Sequence, residues 1–148
     1  VYYLQTEVAH GQIVRGMHHW GASVLIVMLL LHTMRVFFQG AYKKPRELNW
    51  IVGVLIFFII LGLGFTGYLL PWDNKAYFAT QVGLDIAGQV PFIGEHIKVL
   101  LQGDPDVIGA STLARFFAIH VFFLPAALFV LLAVHFILIR RQGIAGPL

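Results

Sequence analysis

Three stretches of this chain are nearly unbroken runs of apolar residues, and each is bounded by charge or proline. The first runs from about Gly16 to Phe38, with no Lys, Arg, Asp or Glu between Arg15 and Arg35. The second runs from Trp50 to Leu70 and stops at Pro71-Trp72-Asp73. The third runs from about Phe116 to Ile139, between Arg115 and Arg140. Each is long enough to carry a helix across a hydrocarbon core about 30 Å thick. Soluble core helices are the bland alternative, and three such runs in one short chain argue against it. The pattern predicts an all-α membrane protein with three transmembrane helices. Pro125, inside the third run, should kink its helix and free the carbonyl of Val121.

The polar positions then set the topology. The loop Gly40-Ala41-Tyr42-Lys43-Lys44-Pro45-Arg46-Glu47 and the tail bearing Arg140 and Arg141 fall on one side if there are three spans. By the positive-inside rule that side is cytoplasmic or its equivalent. The first fifteen residues and the segment Asp73 to Thr112 lie opposite; the latter has five acidic residues against Lys75 and Lys98. Within it, Val90 to Leu101 fits a short interfacial helix and Gly103-Asp104-Pro105-Asp106 a turn. Trp20, Trp50, Trp72 and Tyr68 fit an interfacial aromatic belt.

Composition agrees. Of 148 residues, 59% are hydrophobic and 11% charged, against about a quarter charged in soluble domains. One bundle, a single domain over 1–148, is the expected organisation. The net charge of +3 sits in loops beside the spans, which points to topology control and away from nucleic acid. With no cysteine, these residues form no disulfide, ligate no iron–sulfur cluster and tether no haem. The chain opens on Val1-Tyr2-Tyr3 without an initiator methionine, and is expected to be incomplete at its N-terminus.

The candidate chemistry is four histidines inside the apolar runs. His18 and His32 are fourteen residues apart in the first run, His120 and His135 fifteen apart in the third. Along a helix either spacing is roughly 21–22 Å, and each pair stays within about 40–60° of one side. Two facing helices would thus offer two His–His pairs stacked across the membrane. Ionisable groups there are costly and usually functional. A lone membrane histidine is more often an interhelical hydrogen-bond partner, but two pairs at matched depths favour ligation. Zinc wants more ligands at each depth; two opposed imidazoles suit a planar macrocycle with both axial positions filled, hence electron transfer. His19 points about 100° away from His18, and His10 and His96 lie in outer segments as solvated residues.

Arg15 precedes His18 by three residues and Arg35 follows His32 by three, so each lies near its histidine's face, one step closer to water, where it could pair with a haem propionate. Arg115 and Arg140 lie five residues outside His120 and His135; for these, snorkelling at a span end is at least as good an account. Gly53 and Gly67 repeat the fourteen-residue spacing and would let a flat ring approach the backbone. Gly62 and Gly64 fit ordinary helix packing.

With these residues placed, the chain resembles cytochrome b of quinol-oxidising bc-type complexes over nearly its whole length. The pattern R-x-x-H-x-x-G-A-S followed by H-x-x-R is present as Arg15, His18, Gly21, Ala22, Ser23, His32 and Arg35. The block G-Y-x-L-P-W is present as Gly67, Tyr68, Leu70, Pro71 and Trp72. The His120–His135 spacing, the loop Lys43-Lys44-Pro45-Arg46-Glu47-Leu48 and the ending Arg140-Arg141-Gln142-Gly143-Ile144 with Gly146-Pro147-Leu148 look like the short, split form. That form is cytochrome b6 of chloroplasts and cyanobacteria, or its counterpart in menaquinol-oxidising Gram-positive bacteria. His19-Trp20-Gly21 and Phe37-Phe38-Gln39-Gly40-Ala41-Tyr42 look closer to the bacterial branch, which implies a bacterial cell membrane, with the thylakoid as the alternative.

The resemblance implies two b-type haems in a four-helix bundle, of which three helices are present. His18 and His120 would hold the low-potential haem near the outer side, and His32 and His135 the high-potential haem near the inner side. Gly21 is counted with Arg15, Arg35, Gly53, Gly67 and Arg115 as cofactor contacts. It further implies that quinol oxidised outside sends one electron to a Rieske iron–sulfur protein, then a c-type cytochrome, and one inward to a second quinone site. The complex would be dimeric. Asp73 to Thr112 would help roof the outer quinone site. Two departures matter: the family's preceding helix, whose region in the split form carries a cysteine tethering an additional haem, and its P-E-W-Y motif, expected on a split partner subunit. The chain is therefore expected to work as a subunit and to be inactive alone. A di-haem anchor of a membrane dehydrogenase or hydrogenase would lack the G-Y-x-L-P-W block, and a haem-free transporter or scaffold would show no haem spectrum.

Overall fold

The computed structural model describes residues 1–104 and 106–144. Pro105 of the expected turn and the ending Gly146-Pro147-Leu148 lie outside the described residues. Every element is helical: α1 Tyr2–Thr6, α2 Gly11–Phe38, α3 Glu47–Tyr68, α4 Asn74–Gly88, α5 Gly94–Gln102, α6 Ala110–Ala118, a π-turn Ile119–Phe123, and α7 Leu124–Gln142. Three stretches are long and apolar enough to span a membrane: α2, α3, and α6 through α7. They extend the expected spans by a few polar or small residues at most ends, where helix can continue past the hydrocarbon boundary.

Pro125 acts differently from a simple kink. Ahead of it the helix widens: the N–H of Leu124 bonds to the carbonyl of Ile119, five residues back. Proline has no N–H and clashes with the preceding turn, and one π-turn relieves that conflict while keeping the helix continuous. His120 lies within this widened turn.

The residues divide into two compact units, one gathering Val1–Leu61 with Ala127–Leu148, the other Gly62–Ala126. In the first, Val52, Ile56 and Ile60 form a buried ridge on α3, spaced four apart so that they share one face. Ile26 and Leu29 from α2 and Leu128, Leu131 and Leu132 from α7 pack against it. Arg46, in the loop after α2, donates to the carbonyls of Gly143 and Ile144, at 3.1 Å each, and so joins that loop to the segment after α7.

In the second unit, Leu69, Ala76, Leu84, Ile108 and Phe116 make the core. The Asp73 side chain caps α4 by accepting from the Ala76 N–H at 2.8 Å. The outer segment thus holds two helices where one was expected over Val90 to Leu101. That one begins only at Gly94, because a turn with Phe92 at φ 69° occupies its first residues. Gly94 sits against the carbonyls of Ala87 and Gly88; a Cβ there would lie 2.6 Å from the Ala87 oxygen. Lys98 and Asp85 pair at 2.7 Å across α4 and α5, and this hydrogen bond raises the Lys98 pKa from its ordinary value. The buried Thr112 hydroxyl donates to the Gln102 carbonyl at 2.6 Å and accepts from the Gly109 N–H at 3.2 Å, fixing α6 to the end of α5.

Candidate functional site

The inner pair of histidines shares one cavity. His32 on α2 and His135 on α7 both line a space of about 510 Å³ between α2, α3 and α7, within the range of sites for sizeable ligands. Gly53 of α3 lines it too, and a Cβ added there would come to 3.5 Å from Cε1 of His135. Leu25, Leu29, Ile56, Ile60, Leu128 and Leu132 supply apolar wall, while Arg35, Gln39, Arg46 and Asn49 bring polar groups. Arg35 Nε lies 3.4 Å from Gln39 Oε1. Two lining atoms, Asn49 Oδ1 and His135 Nδ1, are buried with no hydrogen-bond partner among the described residues. Buried polar atoms are rarely left so unless a ligand, water or ion completes them. The donor set fits a haem: two imidazoles, an arginine for an anionic carboxylate, a glycine that keeps one wall flat, and apolar sides. Among the described residues no three His, Cys, Asp or Glu side chains gather as a metal site.

His120 is seated by two neighbours on α3. The Thr66 hydroxyl donates to the Gly62 carbonyl at 2.8 Å, and its oxygen lies 3.2 Å from Nδ1 of His120. A Thr66 hydroxyl whose proton is turned to Gly62 can accept from Nδ1–H of His120, the tautomer that leaves the ring's lone pair on Nε2. Gly67 leaves room for the ring: a Cβ there would lie 2.6 Å from Cε1 and 3.1 Å from Nδ1. A Cβ added at Gly62 would instead meet Leu124 at 3.5 Å, in keeping with its expected role in helix packing.

The remaining candidates are placed as follows. Arg15, His18 and Gly21 lie on α2, with Arg15 half-buried and His18 exposed. A Cβ at Gly21 would meet nothing within 4 Å. Arg115 donates through Nη1 to the carbonyls of Val99 and Leu100 at the last turn of α5, a favourable position for a cation at a helix C-terminus. His19 stacks edge-on against Trp20 at 5.5 Å, and His10 and His96 are exposed. Sequence reasoning missed Thr66, Asn49 and the Arg46 tie. Thr66 directly precedes Gly67 and Asn49 directly precedes Trp50, so adjacency to positions already singled out was the available signal.

The family described as Cytochrome b(N-terminal)/b6/petB matches residues 23–148. The chain is 78% identical over 148 residues to the menaquinol:cytochrome c reductase cytochrome b subunit of Bacillus subtilis (strain 168), covering all of this chain and 66% of that protein. It is 44% identical to cytochrome b6 of Trichodesmium erythraeum (strain IMS101), again covering all of this chain and 66% of the relative. A solved structure of a hyperthermophilic respiratory Complex III superposes with a TM-score of 0.89 at 32% identity, over 99% of this chain and 40% of that one. The chain thus spans slightly less than two thirds of these curated relatives' length. The family match over residues 23–148, together with 78% identity to the Bacillus subtilis subunit over the whole chain, places it in the cytochrome b N-terminal/b6 family.

Proposed function

We propose that this chain is the haem-carrying part of an integral membrane subunit that moves electrons across the bilayer in a quinol:cytochrome c oxidoreductase complex. Family membership implies b-type haem and quinone chemistry, and the relatives work in multi-subunit complexes. The observation that carries the finer reading is the shared cavity of His32 and His135, with Gly53 beside the ring and Arg35 in the lining. In this reading His32 and His135 hold the inner haem and His18 and His120 the outer one, within a single haem-binding domain. When bound, each haem would supply reversible one-electron transfer, with a pair of these histidines as the residues that would hold it.

The protein's own groups have distinct tasks. The imidazoles of His32, on α2, and His135, on α7, bring nitrogen donors to one cavity. Arg35 supplies positive charge at the polar end of the cavity, and the leucine and isoleucine walls exclude water. Thr66 and Gly67 orient His120. Arg15 and Gly21 belong with the outer site by their place near His18. The segment Asp73 to Thr112 contributes to an outer quinone site that a split partner subunit completes. A Rieske iron–sulfur protein and a c-type cytochrome receive the outgoing electron, and the complex is dimeric. The chain alone does not turn over quinol. The setting is a bacterial cell membrane, following the Bacillus subtilis relative.

The test is spectroscopic. The full-length protein in its membrane complex is expected to show a reduced low-spin b-type spectrum from two haems. His32→Ala or His135→Ala should remove one, and His18→Ala or His120→Ala the other. Retention of both haems by all four variants would sink the assignment.

A further inference from the structure

We propose that Thr66 is a positioning residue for His120, and that its hydroxyl lowers the reduction potential of the haem held by His120 relative to the haem at His32 and His135. The inference rests on the haem reading above and deepens it.

Thr66 is 4% exposed on α3. Its own proton goes to the Gly62 carbonyl at 2.8 Å, so toward His120 Nδ1, 3.2 Å away, it acts as an acceptor. An acceptor on Nδ1–H fixes the tautomer that presents Nε2, fixes the ring plane, and makes the imidazole a more basic ligand. A more basic ligand stabilises the oxidised metal over the reduced one. Gly67, the next residue, leaves the space that lets the ring lie this close to α3.

The same helix builds the other level without that hydroxyl. Gly53 faces the His135 ring as Gly67 faces the His120 ring, though less closely (3.5 Å against 2.6 Å for an added Cβ), and fourteen residues separate the two glycines. The same step from Thr66 leads to Val52, which is buried and has no acceptor to offer. Nδ1 of His135 has no hydrogen-bond partner among the described residues. Thr66 against Val52 is thus one difference in chemistry on α3 between the two histidine seats.

The experiment compares Thr66→Val, Thr66→Ser and Val52→Thr in the full-length protein within its complex. Each haem's midpoint is followed by potentiometric titration of the b-type absorption, and each haem is identified by the band that His120→Ala or His135→Ala removes. In Thr66→Val the reduction constant of the His120 haem should rise at least threefold, about 28 mV at 59 mV per tenfold for one electron, while the other haem stays unchanged. Thr66→Ser, which keeps the hydroxyl, should match the parent. Val52→Thr should shift the His135 haem in the opposite direction. Loss of the His120 haem in Thr66→Val with retention in Thr66→Ser also supports the assignment. Both haems retained at parental potentials in Thr66→Val would overturn it, as would Thr66→Val and Thr66→Ser behaving alike, because packing would then explain the site. If His120→Ala itself kept both haems, the haem reading would have failed, a result separable from any of these.

Discussion

An imidazole inside an apolar helix is tolerated when neighbours shape a seat for it, and the two α3 glycines do this to different degrees. A Cβ at Gly67 would press to 2.6 Å from His120 Cε1, whereas one at Gly53 would make ordinary contact at 3.5 Å from His135. The neighbour at Gly67 is a ring held by Thr66, not the loose end of a flexible chain. Gly67→Ala is therefore expected to cost about 1–3 kcal/mol through overpacking and to reduce haem retention at His120. Gly53→Ala should be close to neutral. Haem-to-protein ratio and the thermal midpoint of the purified complex would measure both, and equal effects would contradict the difference in fit. The histidines and the two glycines were legible in the chain because each breaks its apolar run at a matching interval. Thr66 was not: its partner is 54 residues away, and a hydroxyl within a run of small and apolar residues carries no periodic signal.

At the scale of elements, the outer segment depends on polar ties more than on apolar area. Thr112 is fully buried and serves α5 and α6 at once, as donor to Gln102 and acceptor for Gly109. Thr112→Val keeps the shape and deletes both bonds, at a cost of about 1–3 kcal/mol. Amides of Gly94–Gln102 should then exchange with solvent faster, while the spectrum of the haem at His32 and His135 stays unchanged. Unaltered exchange would show that apolar packing alone holds the segment. The three spans were readable from their length and apolarity; their ends differ from expectation where helix continues past the apolar run and at α3, which stops at Tyr68, two residues short of Leu70. Helix α4 was not readable, because the face it buries consists of Ala76, Thr80 and Leu84, a stripe too small and too polar to stand out. The π-turn was foreshadowed by Pro125, but the chain has two ways to absorb a proline, a kink with a freed carbonyl or a widened turn. Which one is used depends on the packing of the whole span.

At the scale of the molecule, much of the apolar surface of the spans is exposed, including Trp20, Phe38, Phe129 and Phe136. Such a surface belongs against lipid or partner helices, so orientation must be set by the polar ends. The basic loop and the tail are joined directly, because Arg46 donates to both Gly143 and Ile144. That contact agrees with two membrane crossings between them and rules against their lying on opposite faces. Lys43, Lys44, Arg46, Arg140 and Arg141, with Arg35, make six of the chain's ten basic residues, and by the positive-inside rule this concentration predicts that they face the cytoplasm. These 148 residues contain no cysteine, so single cysteines introduced among them can be labelled against the unsubstituted protein as control. Lys44→Cys and Arg141→Cys, both at exposed positions, are expected to react with a membrane-impermeant thiol reagent only when the cytoplasmic face is accessible. Reaction of the two from opposite faces would refute the three-span topology. Reaction of both from the outer face would keep the topology and reverse the orientation that the charges predict.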